Sequence, residues 1–198
     1  EVRRFEDTIS EEEILDEINK INNDSSIHGV IVQLPLPKHI SVTKVLNSID
    51  PSKDVDGFTP SNVGKLFLGE DTLVSCTPKG IMSILKSADV NLTGMNVTVI
   101  GRSNIVGKPV SILCQQQNAT VTMCHSKTRD LNAKLADADV IIVAAGVPKF
   151  INGDQIPNGA VVVDVGIHNI EGKLCGDVEF KSASKKASAI TPVPGGVG

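Results

Sequence analysis

The chain has 198 residues, 40% of them hydrophobic and 21% charged, with a formal net charge of -4. That is enough apolar material for one large domain or two small ones, and too little basic charge for a nucleic-acid surface. No run of eighteen apolar residues is present to span a membrane, and the opening EVRRFEDTIS has no apolar stretch of the kind a signal peptide carries.

Four cysteines stand at 76, 114, 124 and 175, and none forms a C-x-x-C pair. This usage predicts free thiols in a reducing compartment, hence a cytoplasmic location, and no zinc site. His28, His39 and His168 stand singly, without metal-ligand spacing, so no metal is expected.

In chain order, Ser10 and Glu13 form a capping-box pattern, and Ile14, Leu15, Ile18 and Ile21 recur at helical spacing. A helix is predicted over 11–23. The apolar run GVIVQL, 29–34, predicts a short strand buried on both faces, stopped by the prolines of PLPKHI. A second short helix is predicted over 41–49, then a long loop, DPSKDVDGFTPSN. Thr77-Pro78 reads as an N-cap followed by proline at the first helical position, with the helix running to about Ala88. From residue 95 the rhythm changes. Strands are predicted at 96–100, 119–124, 139–144 and 160–165, with helices at 107–117 and 130–137. Strand and helix alternating in short units imply a parallel doubly wound sheet. The expected fold is therefore α/β: a Rossmann-like domain over 81–198, preceded by a smaller, truncated α/β domain over 1–80.

GRSNIVGKP, 101–109, follows the predicted strand NVTVI. Gly101 and Gly107 bracket a turn in which backbone N–H groups could approach a phosphate at a helix N-terminus. Ser103, where a second glycine is usual, could add a hydroxyl. A tight strand-to-helix connection with no ligand is the alternative. The next strand, TVTMC, ends in His125, Ser126, Lys127, Thr128 and Arg129, with no carboxylate. A strand-end carboxylate would hydrogen-bond the ribose hydroxyl of NAD, whereas this cluster, with Arg102 nearby, would attract the 2′-phosphate of NADP. A merely solvated loop is the alternative there.

Three further motifs, VQLPLP at 32–37, KDVDGF at 53–58 and TPVPGGVG at 191–198, join GRSNIVGKP in order along the chain. Together they resemble the bifunctional methylene-tetrahydrofolate dehydrogenase/cyclohydrolase family. The resemblance implies a two-domain enzyme, a homodimer, with its cleft between the domains. It implies NADP as cofactor and tetrahydrofolate derivatives as substrates, in one-carbon metabolism supplying purine and amino-acid biosynthesis. It places Gly101, Arg102, Ser103, Ser126 and Ile167 at the cofactor, with Gln33 and Asp56 as catalytic residues. Gln33, Leu34, Pro35, Asp56, Pro194, Gly195 and Gly196 would contact folate. In that family the glutamine supports a catalytic lysine, and the aspartate anchors the donor edge of the pterin. Read as residues alone, a neutral amide at Gln33 can donate and accept, or simply stabilise the proline loop. Asp54 is expected to stabilise its own loop, and Asp164 to be a buried polar residue of its strand.

The sequence departs from the family pattern in one respect. It contains no tyrosine, so the Y-x-x-x-K motif carrying the family's general acid/base lysine is absent from these residues. A protein of these residues alone is expected to bind NADP weakly or moderately, with little cyclohydrolase activity. Two other readings follow: an NADP-dependent dehydrogenase of another small substrate, such as a shikimate-type enzyme, or a non-catalytic NADP- or folate-binding fragment.

Overall fold

Helix α1 (Glu11–Asn23) starts where its capping box predicts. Ser10 Oγ accepts from Glu13 N at 3.2 Å, and Glu13 Oε2 accepts from Ser10 N at 2.9 Å. The far end is closed from a distance in sequence. Lys53 Nζ donates to the carbonyls of Ile21, Asn22 and Asp24 at 2.7–2.9 Å. A cation there satisfies orphan carbonyls and complements the helix dipole. Helix α2 (Val42–Ser48) is tied to α1 through Glu11, which accepts from Ser41 N and Lys44 Nζ. Ile18, Ile40, Val45 and Ile49 form the buried core of this part.

A computed structural model describes all 198 residues, and the chain divides into two compact units, Glu1–Ser75 and Cys76–Gly198. In the first unit, the strand expected over 29–34 is not formed. The segment is extended, but its only ladder contact is one parallel bridge, Val30 to Asp54. Two hydrogen bonds make it: Val30 N to Lys53 O at 2.8 Å and Val55 N to Val30 O at 3.4 Å. Nor is it buried on both faces. Val30 and Val32 pack on the core while Ile31 is 61% exposed. An apolar run alone does not distinguish a doubly covered strand from one with a single covered face. The long loop also ends earlier than expected, in helix α3 (Pro60–Leu68), capped by Thr59 with proline at its start.

In the second unit, helix α4 spans Cys76–Ser87. Thr77 is therefore inside its first turn rather than at the N-cap. Ile81 and Leu85 of α4 pack into the same core as Val97, Val99, Val110 and Ile142. The whole helix thus belongs to this unit, and a division at 80/81 would cut it. Strands β1 (Asn96–Ile100), β2 (Thr120–Cys124), β3 (Val140–Val143) and β4 (Val161–Asp164) alternate with α5 (Gly107–Gln116) and α6 (Leu131–Leu135). A two-residue strand after these, here β7 (Ala189–Ile190), completes an all-parallel sheet in the order β2-β1-β3-β4-β7. Val140–Val143 and Val97–Ile100 are all buried, as continuous apolar strands in a covered parallel sheet should be. Between β4 and β7 lie a small hairpin, β5 (His168–Ile170) with β6 (Lys173–Cys175), and α7 (Phe180–Ala183).

Candidate cofactor and folate sites

The chain leaves β1 for β2 on one side and returns to β3 on the other, so the sheet switches direction at β1. In open parallel sheets, ligands bind beyond the carboxyl ends of the strands at such a switch. Gly101 and Arg102 follow β1, Ser126 follows β2, Ile167 follows β4, and Pro194 to Gly196 follow β7. All therefore lie along one edge of the sheet.

At β1 the turn is closed from both sides. Gly101 has φ +127°, and a Cβ there would sit 2.9 Å from the carbonyl carbon of Ala144. A Cβ on Gly107 would sit 2.6 Å from the carbonyl carbon of Gly101 and 2.9 Å from Arg102 N. Two glycines are thus needed because strand end, helix start and the turn after β3 meet backbone to backbone. Ser103 does more than replace a glycine. Its Oγ accepts from Val106 N at 3.1 Å and Gly107 N at 3.3 Å, and its carbonyl accepts from Lys108 N. The serine thereby satisfies the first N–H groups of α5 and keeps its own hydroxyl proton to donate. The N–H groups of Arg102, Ser103, Asn104 and Ile105 donate to nothing within the chain. The free donors of this turn therefore lie in the loop, one step before the helix.

At β2, Gly101 N donates to Cys124 O at 2.9 Å, which places Arg102 beside residues 125–129. That loop is held in shape internally. Thr128 N donates to His125 O, Thr128 Oγ1 accepts from His125 N, and His125 Nδ1 accepts from Lys127 N. The side chains of Arg102, Ser126, Lys127 and Arg129 make no hydrogen bond or ion pair within the chain. Three cations and a hydroxyl, all unpartnered and without a neighbouring carboxylate partner, suit a phosphate on the ribose. The residues present fit NADP.

At β3 and β4, two buried carboxylates organise the backbone. Asp164 Oδ1 accepts from Gly166 N and Asp177 N, and its Oδ2 accepts from Val178 N, at 2.9–3.0 Å. Burial pushes its pKa up, the three N–H groups pull it down, and the nearby Asp177 charge adds to the rise. Asp164 is thus a buried polar residue, as expected, with a defined bracing task. Asp177 Oδ2 accepts from Ala145 N at 2.6 Å and Gly146 N at 2.9 Å, while Oδ1 pairs with His168 Nε2 at 2.7 Å. His168, which its isolation in sequence marks as incidental, is therefore a partnered residue. Asp177 and the 145–146 turn are missed by sequence reading because they are brought together only by the fold. The main-chain N–H of Ile167 makes no hydrogen bond within the chain, and its side chain is 60% exposed.

In the first unit, the bridge between Val30 and Asp54 is parallel, so Gln33 and Asp56 both lie beyond the same end of it. Gln33 is exposed, and its Nε2 donates to Leu34 O at 3.0 Å. The Leu34–Pro35 peptide is cis. Asp54 and Asp56 divide their tasks. Asp54 is buried and accepts from Thr59 N at 2.7 Å and Asn62 Nδ2 at 2.9 Å, so it braces the loop. Asp56 is half-buried and has no partner within the chain. Burial holds its carboxyl above the ordinary carboxylate range, and the charge of Asp54 adds to the rise. Gly195, φ +97°, has open space where a side chain would be. Burial pushes the Cys114 thiol up to about 12, far from a reactive thiolate. No group of three or more His, Cys, Asp or Glu side chains is placed to hold a metal ion. No helix is long and apolar enough to cross a membrane.

Comparison with known proteins places both units. Residues 75–198 match the family model described as tetrahydrofolate dehydrogenase/cyclohydrolase, NAD(P)-binding domain. Residues 1–56 match the catalytic domain of the same family. The chain is 60% identical over 190 residues to bifunctional protein FolD 2 of Geobacter sulfurreducens, covering 96% of this chain and 67% of that protein. It superposes on the bifunctional FolD dehydrogenase/cyclohydrolase of Campylobacter jejuni with a TM-score of 0.95 at 50% identity, over 96% of this chain and 68% of that one. It also matches the Trypanosoma brucei FolD complexed with NADP cofactor and inhibitor, with a TM-score of 0.91 at 38% identity, over 96% and 68%. The chain thus spans about two thirds of the length of these relatives.

Proposed function

This chain belongs to the tetrahydrofolate dehydrogenase/cyclohydrolase family, and from that premise we infer that it interconverts one-carbon folates. It oxidises methylene-tetrahydrofolate to methenyl-tetrahydrofolate with NADP and hydrolyses the methenyl product to formyl-tetrahydrofolate. A dehydrogenase of another small substrate, or a bare binding fragment, is not favoured, because the models of both family domains match.

The observation that carries the cofactor choice is the unpartnered trio of Arg102, Lys127 and Arg129 at adjacent strand ends. These cations and Ser126 hold the 2′-phosphate, where fork-shaped guanidinium groups can donate two bonds at once. The free N–H groups of residues 102–105 and the Ser103 hydroxyl hold the pyrophosphate, and the Ile167 main chain orients the cofactor further. Bound there, NADP supplies the acceptor for the hydride leaving the methylene carbon. On the folate side, Asp56 accepts from the N–H edge of the pterin, and Gln33 donates and accepts at the reacting end. Leu34, Pro35, Pro194 and Gly196 line the folate, and Gly195, open where a side chain would be, admits flat rings close to the backbone. Hydride transfer then depends on positioning two ring systems, and the hydrolysis on admitting one water to the methenyl carbon, rather than on a nucleophile of this chain.

We read the protein as a cytoplasmic homodimer. The family resemblance supports the dimer, and four free cysteines support a reducing compartment. Sedimentation of the purified protein tests the first. The activity is tested by titrating NADP and NAD, then following reduced cofactor with methylene-tetrahydrofolate and loss of methenyl-tetrahydrofolate absorbance. Selective NADP binding and dehydrogenase turnover are expected, while a protein of these 198 residues alone, without the family's acid/base lysine, should show little cyclohydrolase activity. A folded protein that binds neither NADP nor folate overturns the reading.

A further inference from the structure

We propose that His168 is a positioning residue: through the buried carboxylate of Asp177 it fixes the Ala145–Gly146 turn on which the phosphate-binding glycine of β1 rests. The proposal rests on the reading that this sheet edge holds NADP.

The path is continuous in atoms. His168 Nε2 lies 2.7 Å from Asp177 Oδ1, and the other carboxylate oxygen takes the N–H groups of Ala145 and Gly146. Asp177 is fully buried, and the His168 side chain is 20% exposed. With His168 in place the carboxylate is closed off from solvent, and Oδ1 without that donor is a buried acceptor missing a partner, which is costly. Its place is also sterically fixed. A Cβ on Gly166 would meet the Asp177 carboxyl carbon and main-chain nitrogen at 2.5 Å, so the carboxylate occupies the space that glycine leaves.

The turn it holds is next to the cofactor edge. Ala144 N donates to Ile100 O at 2.7 Å, and the Ala144 carbonyl is the group that excludes any side chain from Gly101. Gly146 has φ +69° and nothing within 4 Å of where a side chain would sit, so the turn faces open space. If Asp177 rotates to find another donor, the 145–146 turn loses both its hydrogen bonds, and Gly101 loses its rigid backing. His168 adjoins Ile167, so the same contact also fixes a second cofactor-facing main-chain group. Neither His168 nor Asp177 needs to touch NADP for this.

Three variants test the proposal: His168→Ala, His168→Asn and His168→Gln. Glutamine carries an N–H donor about as far from the backbone as Nε2, whereas asparagine is too short. Two readouts are taken on the intact protein: amide hydrogen exchange of the peptide spanning residues 144–147, and the dissociation constant for NADP by calorimetry. Faster exchange at 144–147 and roughly tenfold weaker NADP binding are expected for alanine and asparagine, the loss of one hydrogen bond to a charged acceptor. Glutamine restores both to within a few-fold. Should alanine fail to fold, asparagine carries the loss arm. Unchanged exchange and affinity in the loss variants, or no rescue by glutamine, overturns the proposal. Wild-type protein that fails to bind NADP removes the functional reading instead, and exchange in the variants still decides whether His168 holds the turn.

Discussion

Replacing Gly107 by alanine perturbs the cofactor turn at its tightest point. The added methyl would lie 2.6 Å from the Gly101 carbonyl carbon and 2.9 Å from Arg102 N. Comfortable carbon contacts are about 3.5–4.0 Å, so the two backbones must separate by about 1 Å. Neither can yield freely. Gly101 is held by Cys124 O on one side and packed on Ala144 on the other, and Gly107 N is held by Ser103. Overpacking of this kind costs about 1–3 kcal/mol, and the rigid backbone on both sides places the cost in the upper half. For a chain of this size that corresponds to a fall in melting temperature of roughly 4–12 °C, at about 2–4 °C per kcal/mol. A 1 Å displacement of a positioning element can also cost about 100-fold in turnover. The assay is a thermal melt beside NADP titration of the same preparation. A Gly107→Ala protein melting within about 1 °C of wild type, with unchanged NADP affinity, would refute the backbone contact and the role given to it.

Arg102→Ala should weaken NADP by roughly 10- to 100-fold and leave NAD nearly unaffected, since only NADP carries the phosphate that the guanidinium would hold. Equal losses for both nucleotides, measured by calorimetry, would move Arg102 away from the 2′-phosphate. Asp56→Asn should weaken folate binding by a similar factor of about 10 to 100. The carboxyl of Asp56 is held above its ordinary value, so the carboxylate that accepts the pterin is the form present at higher pH. Folate affinity should therefore fall as pH drops through a midpoint above the usual 3.8, and the Asn variant should lose that dependence. The same shift makes Asp56 itself favour folding below 3.8 and oppose it as pH rises, so Asp56→Asn should not lower the melting temperature at neutral pH. Gly80→Ala is the opposite of Gly107→Ala: helix α4 leaves nothing within 4 Å of the new methyl, and about 0.5–1 kcal/mol of stabilisation is expected in a thermal melt.

Much of this protein is local in its causes. The capping box at Ser10, the apolar strands β1, β3 and β4, and the glycines around Arg102 and Ser103 each depend on residues within a few positions. Periodicity and turn chemistry act over that range, so the alternating Rossmann-like half and the glycine turn after β1 can be read from the sequence. The four ordered motifs likewise suffice to identify the family. The tertiary structure decided what depends on distant partners. Segment 29–34 became a one-sided extended stretch because its pairing is a single bridge to residue 54. Helix α4 joined the second unit because its buried face meets the sheet. Strand β7, two residues long, exists only because β4 offers it an edge. Ser103 caps α5 instead of merely lining a phosphate. His168 and Asp177 acquire meaning only when the fold brings residues 145–146 to the same carboxylate. A buried charge must find donors wherever the chain passes, and which segments pass there is set by topology, which no local pattern encodes.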